Sequence, residues 1–512
     1  MKKSNKPKKP FLLRLLPVLS CILIILGGLC FFSASWYVRT YGNTGFDSVL
    51  FTLTGGLNGV QDGLVTSYII GGLLPAVLFI IVVQLLLFFP GEELRLCVPR
   101  SGKKLQLFPF PVWLSSLLAL VLSLVLICSA GTSVGLFAYL KSSGTTGQIY
   151  EEEYVDPSAA QITFPEEKRN LVYIMLESME TSYLSEDLGG GLPYNLIPEL
   201  YDLALENMNF SHNEGVGGLV ELPGVSWTIG SMVGQTSGIP LKVPDGIIDW
   251  QNGYGKDGVF LPGAATLFDI LSENGYYQAL MVGSDAAFGG RKTYYKTHGV
   301  DQIYDIYTAR RDGIVPKDYF VWWGMEDKHL FSYAKQELTE IAAQEQPFAF
   351  TMLTVDTPHI GGYNCELCGS EYEESYENAI SCSSRQVLEF VQWLQQQDFY
   401  ENTTVIITGD HYSMDAGYFG RNVADNYTRH GYNCFLNTPA TAIRLKNRKF
   451  SALDMFPTTL AAMGCTIEGE RLGLGTNLFS ATPTLIEKRG YVQFWNELAK
   501  ASDFYNRFYE EK

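Results

Sequence analysis

Three apolar runs near the start of the chain restrict its fold more than any other feature. Residues 11–33 (FLLRLLPVLSCILIILGGLCFFS), 66–89 and 111–139 are long and almost free of charge. Each reaches the roughly 20 apolar residues that a helix needs to cross a bilayer. In lipid such a run has to be helical, because every backbone N–H and C=O must be satisfied within the segment. A cleaved signal peptide competes for the first run, since Lys2, Lys3, Lys6, Lys8 and Lys9 precede it. Its apolar core exceeds that of a signal sequence and two further runs follow, which favours an anchor.

Charge in the connecting loops sets the expected orientation. The lysine-rich start and the 90–110 loop, with Arg95, Arg100, Lys103 and Lys104, are basic, whereas the 34–65 loop carries only Arg39. Basic loops stay on the cytoplasmic side, so residues from about 145 onward are expected outside the cell. The formal net charge of −17 argues against a nucleic-acid partner, which needs a basic face. It also disfavours electrostatic adhesion to anionic lipid, so attachment falls to the apolar runs. The expected organisation is a membrane domain over 1–143, a polar linker over 144–165, a catalytic domain over 166–480 and a helical tail over 481–512.

Cys365, Cys368, Cys382, Cys434 and Cys465 fall in the outer part. The CELC motif followed by Cys382 suggests a zinc knuckle but shows no fourth ligand at a standard spacing. In an oxidising compartment, disulfide staples of a loop are the favoured reading. The odd count leaves at least one thiol unpaired.

Beyond residue 165, short β-branched runs alternate with amphipathic stretches. LVYIML (171–176), YYQALMV (276–282), FAFTMLTV (348–355), TVIIT (404–408) and ATAIRL (440–445) read as strands. Residues 194–207, 264–274, 327–344 and 384–397 read as helices. Continuous apolar strands alternating with helices predict an α/β fold with a mainly parallel sheet covered on both faces. Chemistry in such sheets gathers beyond the carboxyl ends of the strands. Glu177 to Glu180, Asp356 to His359, and Asp410 with His411 follow three of these strands. Two carboxylates and an imidazole from Glu177, Asp410 and His411 suit a divalent cation such as Mn²⁺ or Zn²⁺. Each alone reads equally well as a helix cap or ion-pair partner.

The segment GVSWTIGSMVGQTSGIP, residues 224–240, offers Thr228 at the head of a short helix. A threonine there is ordinarily an N-terminal cap. A hydroxyl beside a cation loses its proton easily and becomes a nucleophile, and a helix N-terminus favours a phosphate.

SWTIGSMVGQTSGIPL resembles the nucleophile region of membrane phosphoglycerol transferases, which are similar to the lipoteichoic acid synthases in the sulfatase-like branch of the alkaline phosphatase superfamily. LVYIMLESMET and TVIITGDHYSM resemble that family's two metal segments, RKTYYKTHGVDQIYD its substrate loop, and SALDMFPTTLAAMG its closing helix. The resemblance spans about residues 165–465 and keeps the family's order. It implies an alkaline-phosphatase/sulfatase-like three-layer domain in a multi-pass protein of the bacterial cell membrane. Glu177, Thr228, Asp410 and His411 would bind one divalent metal, Mn²⁺ first, with Zn²⁺ or Mg²⁺ as alternatives. Thr228 would carry glycerol phosphate taken from phosphatidylglycerol, for a glycan, glycolipid or polyglycerol phosphate acceptor. Arg291, Asp285 and His359 fall where the family grips its substrate. GSDAAFGGRK is one residue shorter than in lipoteichoic acid synthases and lacks their tryptophan, and DTPHI replaces an expected histidine pair.

True sulfatases make formylglycine from a Cys/Ser-x-Pro-x-Arg motif, which threonine cannot supply. A phosphoethanolamine transferase of the same fold is the nearest alternative, though it usually carries more metal-binding and disulfide-linked residues. A catalytically inactive scaffold that binds lipid or glycan is the alternative of another class.

Overall fold

The computed structural model describes residues 11–42, 45–54, 62–88, 94–97, 104–108, 110–242 and 258–510. Lys2, Lys3, Lys6, Lys8, Lys9, Arg100 and Lys103 lie outside these residues. The chain divides into two compact units, one of Met1–Asn43 with Asp62–Ala138 and one of Thr44–Gln61 with Tyr139–Lys512.

The first unit contains three helices long and apolar enough to cross a membrane, Leu15–Tyr41, Gly63–Phe88 and Val112–Ser133. Its surface is lined with leucines such as Leu19, Leu86 and Leu124, each more than half exposed. Water would not tolerate so much apolar surface, and lipid requires it. Small residues bring the helices together. A Cβ on Gly27 would stand 3.2 Å from the Ser123 backbone, and one on Gly28 would stand 2.9 Å from the Ile80 side chain. Close approach of this kind supplies the packing that holds helices together in lipid, where no hydrophobic force acts between them.

The second unit is built on a six-stranded sheet. Its strands are β1 (Asn170–Leu176), β2 (Tyr277–Val282), β3 (Gln302–Tyr304), β4 (Phe348–Leu353), β5 (Thr403–Gly409) and β6 (Asn433–Leu436). They lie in the order β3-β2-β4-β1-β5-β6, with every pairing parallel except β5 to β6. In β1, Leu171, Tyr173 and Met175 enter one core while Val172, Ile174 and Leu176 enter the other. A period of two with apolar residues on both faces is what a sheet sandwiched by helices requires.

The stretch 440–445 is not a strand. Its backbone partners are scattered over loops, with Ile443 N–H donating to Phe479 O at 3.0 Å, and the Ile443 side chain is 71 % exposed. The sheet ends instead at β6, a run of four buried residues. Its β-branched residues suggested that 440–445 is a strand, but strand propensity is a local tendency that the loop contacts of this stretch override.

Residues 149–153 form a short helix whose Tyr150 joins the same core cluster as Phe494, Leu498, Tyr505 and Phe508 from the C-terminal segment. Glu153, also buried, pairs with Arg471, Lys488 and Arg489 at 2.7–2.9 Å.

Candidate metal centre

Two neighbouring strands end in register, with Leu176 of β1 opposite Gly409 of β5. Glu177 and Asp410 therefore leave the sheet side by side, and His411 follows. Ligand atoms of Glu177, Asp410 and His411 lie within 4.8 Å of one another, and all three residues are buried.

Backbone geometry aims each group. Ser178 sits at a φ of 55°, a left-handed conformation uncommon outside glycine. Its N–H meets Asp410 Oδ1 at 2.8 Å, and its hydroxyl donates to Glu177 Oε1 at 3.0 Å. The His411 N–H donates to the same Asp410 oxygen at 2.7 Å. Asp410 Oδ2 is left buried with no hydrogen-bond partner. The His411 ring directs Nδ1 at the Tyr412 carbonyl, 2.7 Å away, so Nδ1 carries a proton and Nε2 is the nitrogen left facing the carboxylates. Nε2 stands 3.4 Å from Glu177 Oε1 and 3.4 Å from Asp410 Oδ2.

Electrostatics at this point are frustrated. Burial, with Glu177 adding to it, pushes the Asp410 carboxyl up to about 8. Burial would also raise Glu177, but the adjacent His411 imidazole holds it below the ordinary range. Burial acts to lower His411, and the two carboxylates reverse this to about 10. An orphaned buried oxygen, two crowded carboxylates and a neutral-capable imidazole form a donor set that a divalent cation would satisfy.

Thr228 is the first residue of helix α1 of this domain (Thr228–Ser237), and Trp227 holds the cap position without a side-chain cap. The capping role expected of Thr228 is thus not the one it fills. Its hydroxyl instead points at the centre, 3.4 Å from Glu177 Oε2 and 3.3 Å from His411 Nε2. Thr228 is half-buried while residues 229–237 behind it are buried, so Thr228 is the accessible residue of the helix. Ser231 and Gln235, one turn apart, anchor α1 to the end of β5 through Asp410 O and Gly409 O, the latter at 3.2 Å. Sequence reasoning passed over both. Their trace was a pair of polar residues at i and i+4 on a helix with no solvent-facing side.

Arg291 is buried and held as a fork by Phe288 O at 3.0 Å, Ser284 Oγ at 2.9 Å and Asp285 O at 2.7 Å. Burial lowers its pKa, and Glu177 is the foremost charge working against that. Among the described residues it makes no ion pair with a carboxylate. Asp285 offers Arg291 its carbonyl, while its carboxylate accepts from Ala287 N at 2.8 Å and Tyr307 Oη at 3.4 Å. His359 is half-buried. Burial of its ring pushes the pKa down to about 4, against the pull of Glu177 and Asp415, so it is a neutral imidazole at pH 7. The third strand end contributes no carboxylate to the cluster: Asp356 Oδ2 accepts from Asp327 N at 3.2 Å instead. Beyond these, Arg429 pairs with the fully buried Glu180. His430 stacks on His212 with ring centroids 3.3 Å apart. His298 orders its loop by pairing with Asp269 at 2.8 Å.

A strand-end carboxylate–imidazole centre on a mainly parallel α/β sandwich is the class that fold and site define. The Sulfatase family model matches residues 251–465, which include Asp410 and His411. Phosphoglycerol transferase I of Citrobacter koseri is 30 % identical over 410 residues, covering 77 % of this chain and 49 % of that protein. The enzyme of the same name from Xanthomonas campestris pv. campestris is 32 % identical over 255 residues, covering 49 % of this chain and 34 % of its own length. The chain thus spans between a third and a half of the curated relatives it matches. Among solved structures, the lipoteichoic acid synthase LtaP of Listeria monocytogenes matches with a TM-score of 0.47 at 18 % identity, over 63 % of this chain and 79 % of that one. The phosphoethanolamine transferase EptA of Neisseria meningitidis gives 0.48 at 13 % identity, over 90 % and 85 %. The chain belongs to the sulfatase-like family that includes the membrane phosphoglycerol transferases.

Proposed function

We propose that this protein transfers glycerol phosphate from phosphatidylglycerol to a hydroxyl of an extracytoplasmic glycan, glycolipid or polyglycerol phosphate. The observation that carries the reading is half-buried Thr228, whose hydroxyl lies within 3.4 Å of both Glu177 and His411. Relatives named as phosphoglycerol transferases support the choice of head group.

Glu177, Asp410, His411 and Thr228 would hold one divalent metal, Mn²⁺ the expected ion and Zn²⁺ or Mg²⁺ the alternatives. When bound, such an ion lowers the pKa of a coordinated hydroxyl and neutralises charge on phosphoryl oxygens. The chain's own groups do the rest. Thr228 Oγ1 attacks phosphorus, the bond from phosphorus to the diacylglycerol oxygen breaks, and diacylglycerol leaves with a proton. Glu177 Oε2 is placed to accept the hydroxyl proton, and the N–H groups opening α1 favour the phosphoryl oxygens. Arg291, a buried cation with no carboxylate partner among the described residues, would meet the phosphate through Nη1, since its Nε and Nη2 are held by Phe288 O, Ser284 Oγ and Asp285 O. His359 would hydrogen-bond the glycerol, and Asp285 with Tyr307 would form the rim around it. An acceptor hydroxyl then attacks the phospho-threonine and restores Thr228. The three apolar helices confine the domain to the membrane in which the donor lies.

The test is donor turnover by the full chain in vesicles of phosphatidylglycerol or phosphatidylethanolamine, read as diacylglycerol release. Release from phosphatidylglycerol that Thr228→Ala abolishes is expected. Turnover of phosphatidylethanolamine alone would reassign the head group, and full activity in Thr228→Ala would reject the covalent route.

A further inference from the structure

Three sulfurs meet at a place the proposed reaction does not use. Cys365 and Cys368 lie on the loop that follows β4, and Cys382 lies two turns into a helix, α2 (Ser375–Leu394). Cys365 and Cys382 are buried and Cys368 is half-buried. The three Sγ atoms fall within 4.8 Å of one another, and those of Cys365 and Cys368 are 3.7 Å apart.

These cysteines are free thiols, where the sequence favoured a disulfide staple. A disulfide brings its sulfurs to about 2.05 Å. Four ligands arranged tetrahedrally at a Zn–S distance of about 2.3 Å stand about 3.8 Å from each other, close to the separation observed. The surroundings also suit thiolates. Cys368 N–H closes the turn onto Cys365 O at 3.1 Å, which brings the two sulfurs of that turn to one side. Gln386, one turn beyond Cys382, donates Nε2 to its sulfur at 3.4 Å. Donors of this kind, outside the ligand set, orient and stabilise metal-bound sulfur. The amide oxygen of Gln386 is buried and has no hydrogen-bond partner, so an acceptor stands ready beside the sulfurs. A disulfide between any two of the three would strand the third, whereas a metal uses them all.

We infer that Cys365, Cys368 and Cys382 bind one soft divalent cation of the Zn²⁺ class, with a water molecule in the fourth position. The site is separate from the carboxylate–imidazole centre and does not depend on the phosphoglycerol reading. Binding releases the thiol protons and involves no change of oxidation state. It would tie the loop that carries His359 to α2, in addition to the bond from Tyr376 Oη to Thr357 O at 3.1 Å.

The experiment uses the full chain in detergent micelles, reduced and handled without oxygen, titrated with Co²⁺ and separately loaded with Zn²⁺. A thiolate-to-Co²⁺ charge-transfer band is expected, together with protection of all three cysteines from alkylation until a chelator is added. Glu177→Gln should keep the band, and Cys368→Ser should lose it together with one equivalent of zinc. Should Cys368→Ser fail to fold, the band and the alkylation protection of the unaltered protein decide the matter. A reduced protein without the band, or a native disulfide joining any two of these cysteines, overturns the inference.

Discussion

His411 and Tyr412 are bound by one contact that fixes the chemistry of the imidazole: Nδ1 donates to the neighbouring carbonyl at 2.7 Å. The acceptor is backbone, so no side-chain change removes it and the tautomer is set by the fold. Nε2 is thereby turned toward Glu177, Asp410 and Thr228, where it would serve a bound metal as a ligand. Replacing the ring by His411→Gln should cut Mn²⁺ affinity by about a hundredfold or more, with little change in melting temperature. Isothermal titration of the metal into both proteins checks this.

Arg291 should tolerate no substitution, including lysine. Its guanidinium is gripped by one hydroxyl and two carbonyls, a planar fork that an ammonium cannot reproduce. Arg291→Lys should lower kcat/KM for the anionic donor by roughly 10–100-fold, about 1.4–2.7 kcal/mol. Most of the loss should appear in KM if the fork holds the phosphate in the ground state. Steady-state kinetics on mixed vesicles separates the two parameters.

Stability should carry a distinct acid limb from Glu153. Burial works to raise its carboxyl, but Lys488, Arg489 and Arg471 reverse that and hold it at about 2. A depressed folded pKa means that the contribution is complete above the unfolded value near 4.5 and lost as pH falls toward 2. Glu153→Gln should therefore cost roughly 2–3 kcal/mol at pH 7, and the difference should shrink by pH 3. Thermal melts of both proteins at the two pH values show whether it does.

Much of this architecture was legible, and the failures have physical causes. β1, β4 and β5 were readable because strands buried on both faces are continuous apolar runs. Their ends placed Glu177, Asp410 and His411 on one rim, where the structure brings them together. ATAIRL looked like a strand because β-branched composition is a local property, whereas pairing with a neighbouring strand is global. Thr228 could not be distinguished from a cap, since cap and first helical turn differ by one residue. The turn at Ser178 left no mark, because a positive φ at serine has no composition of its own. Asp356 follows β4 as Glu177 follows β1, yet its carboxylate turns to the backbone of Asp327.

Gly409 should be close to irreplaceable. A Cβ there would stand 1.9 Å from the Met179 carbonyl oxygen, and that backbone cannot retreat without moving Ser178 and Glu177. Gly409→Ala should destabilise the domain by roughly 1–3 kcal/mol and weaken metal binding along with it. Gly275→Ala is the contrast: its φ is +77° but its Cβ position is open, so strain alone acts, at about 1 kcal/mol, with the metal affinity intact. Melting curves and metal titration on the pair separate crowding from strain.

The central claim is that Thr228 takes up the head group covalently, and intact-protein mass spectrometry with Mn²⁺ and phosphatidylglycerol tests it most directly. A mass gain equal to one glycerol phosphate is expected in the unaltered protein and in Thr228→Ser, and none in Thr228→Ala. Diacylglycerol release without any adduct under single-turnover conditions, or an adduct that persists in Thr228→Ala, would contradict it.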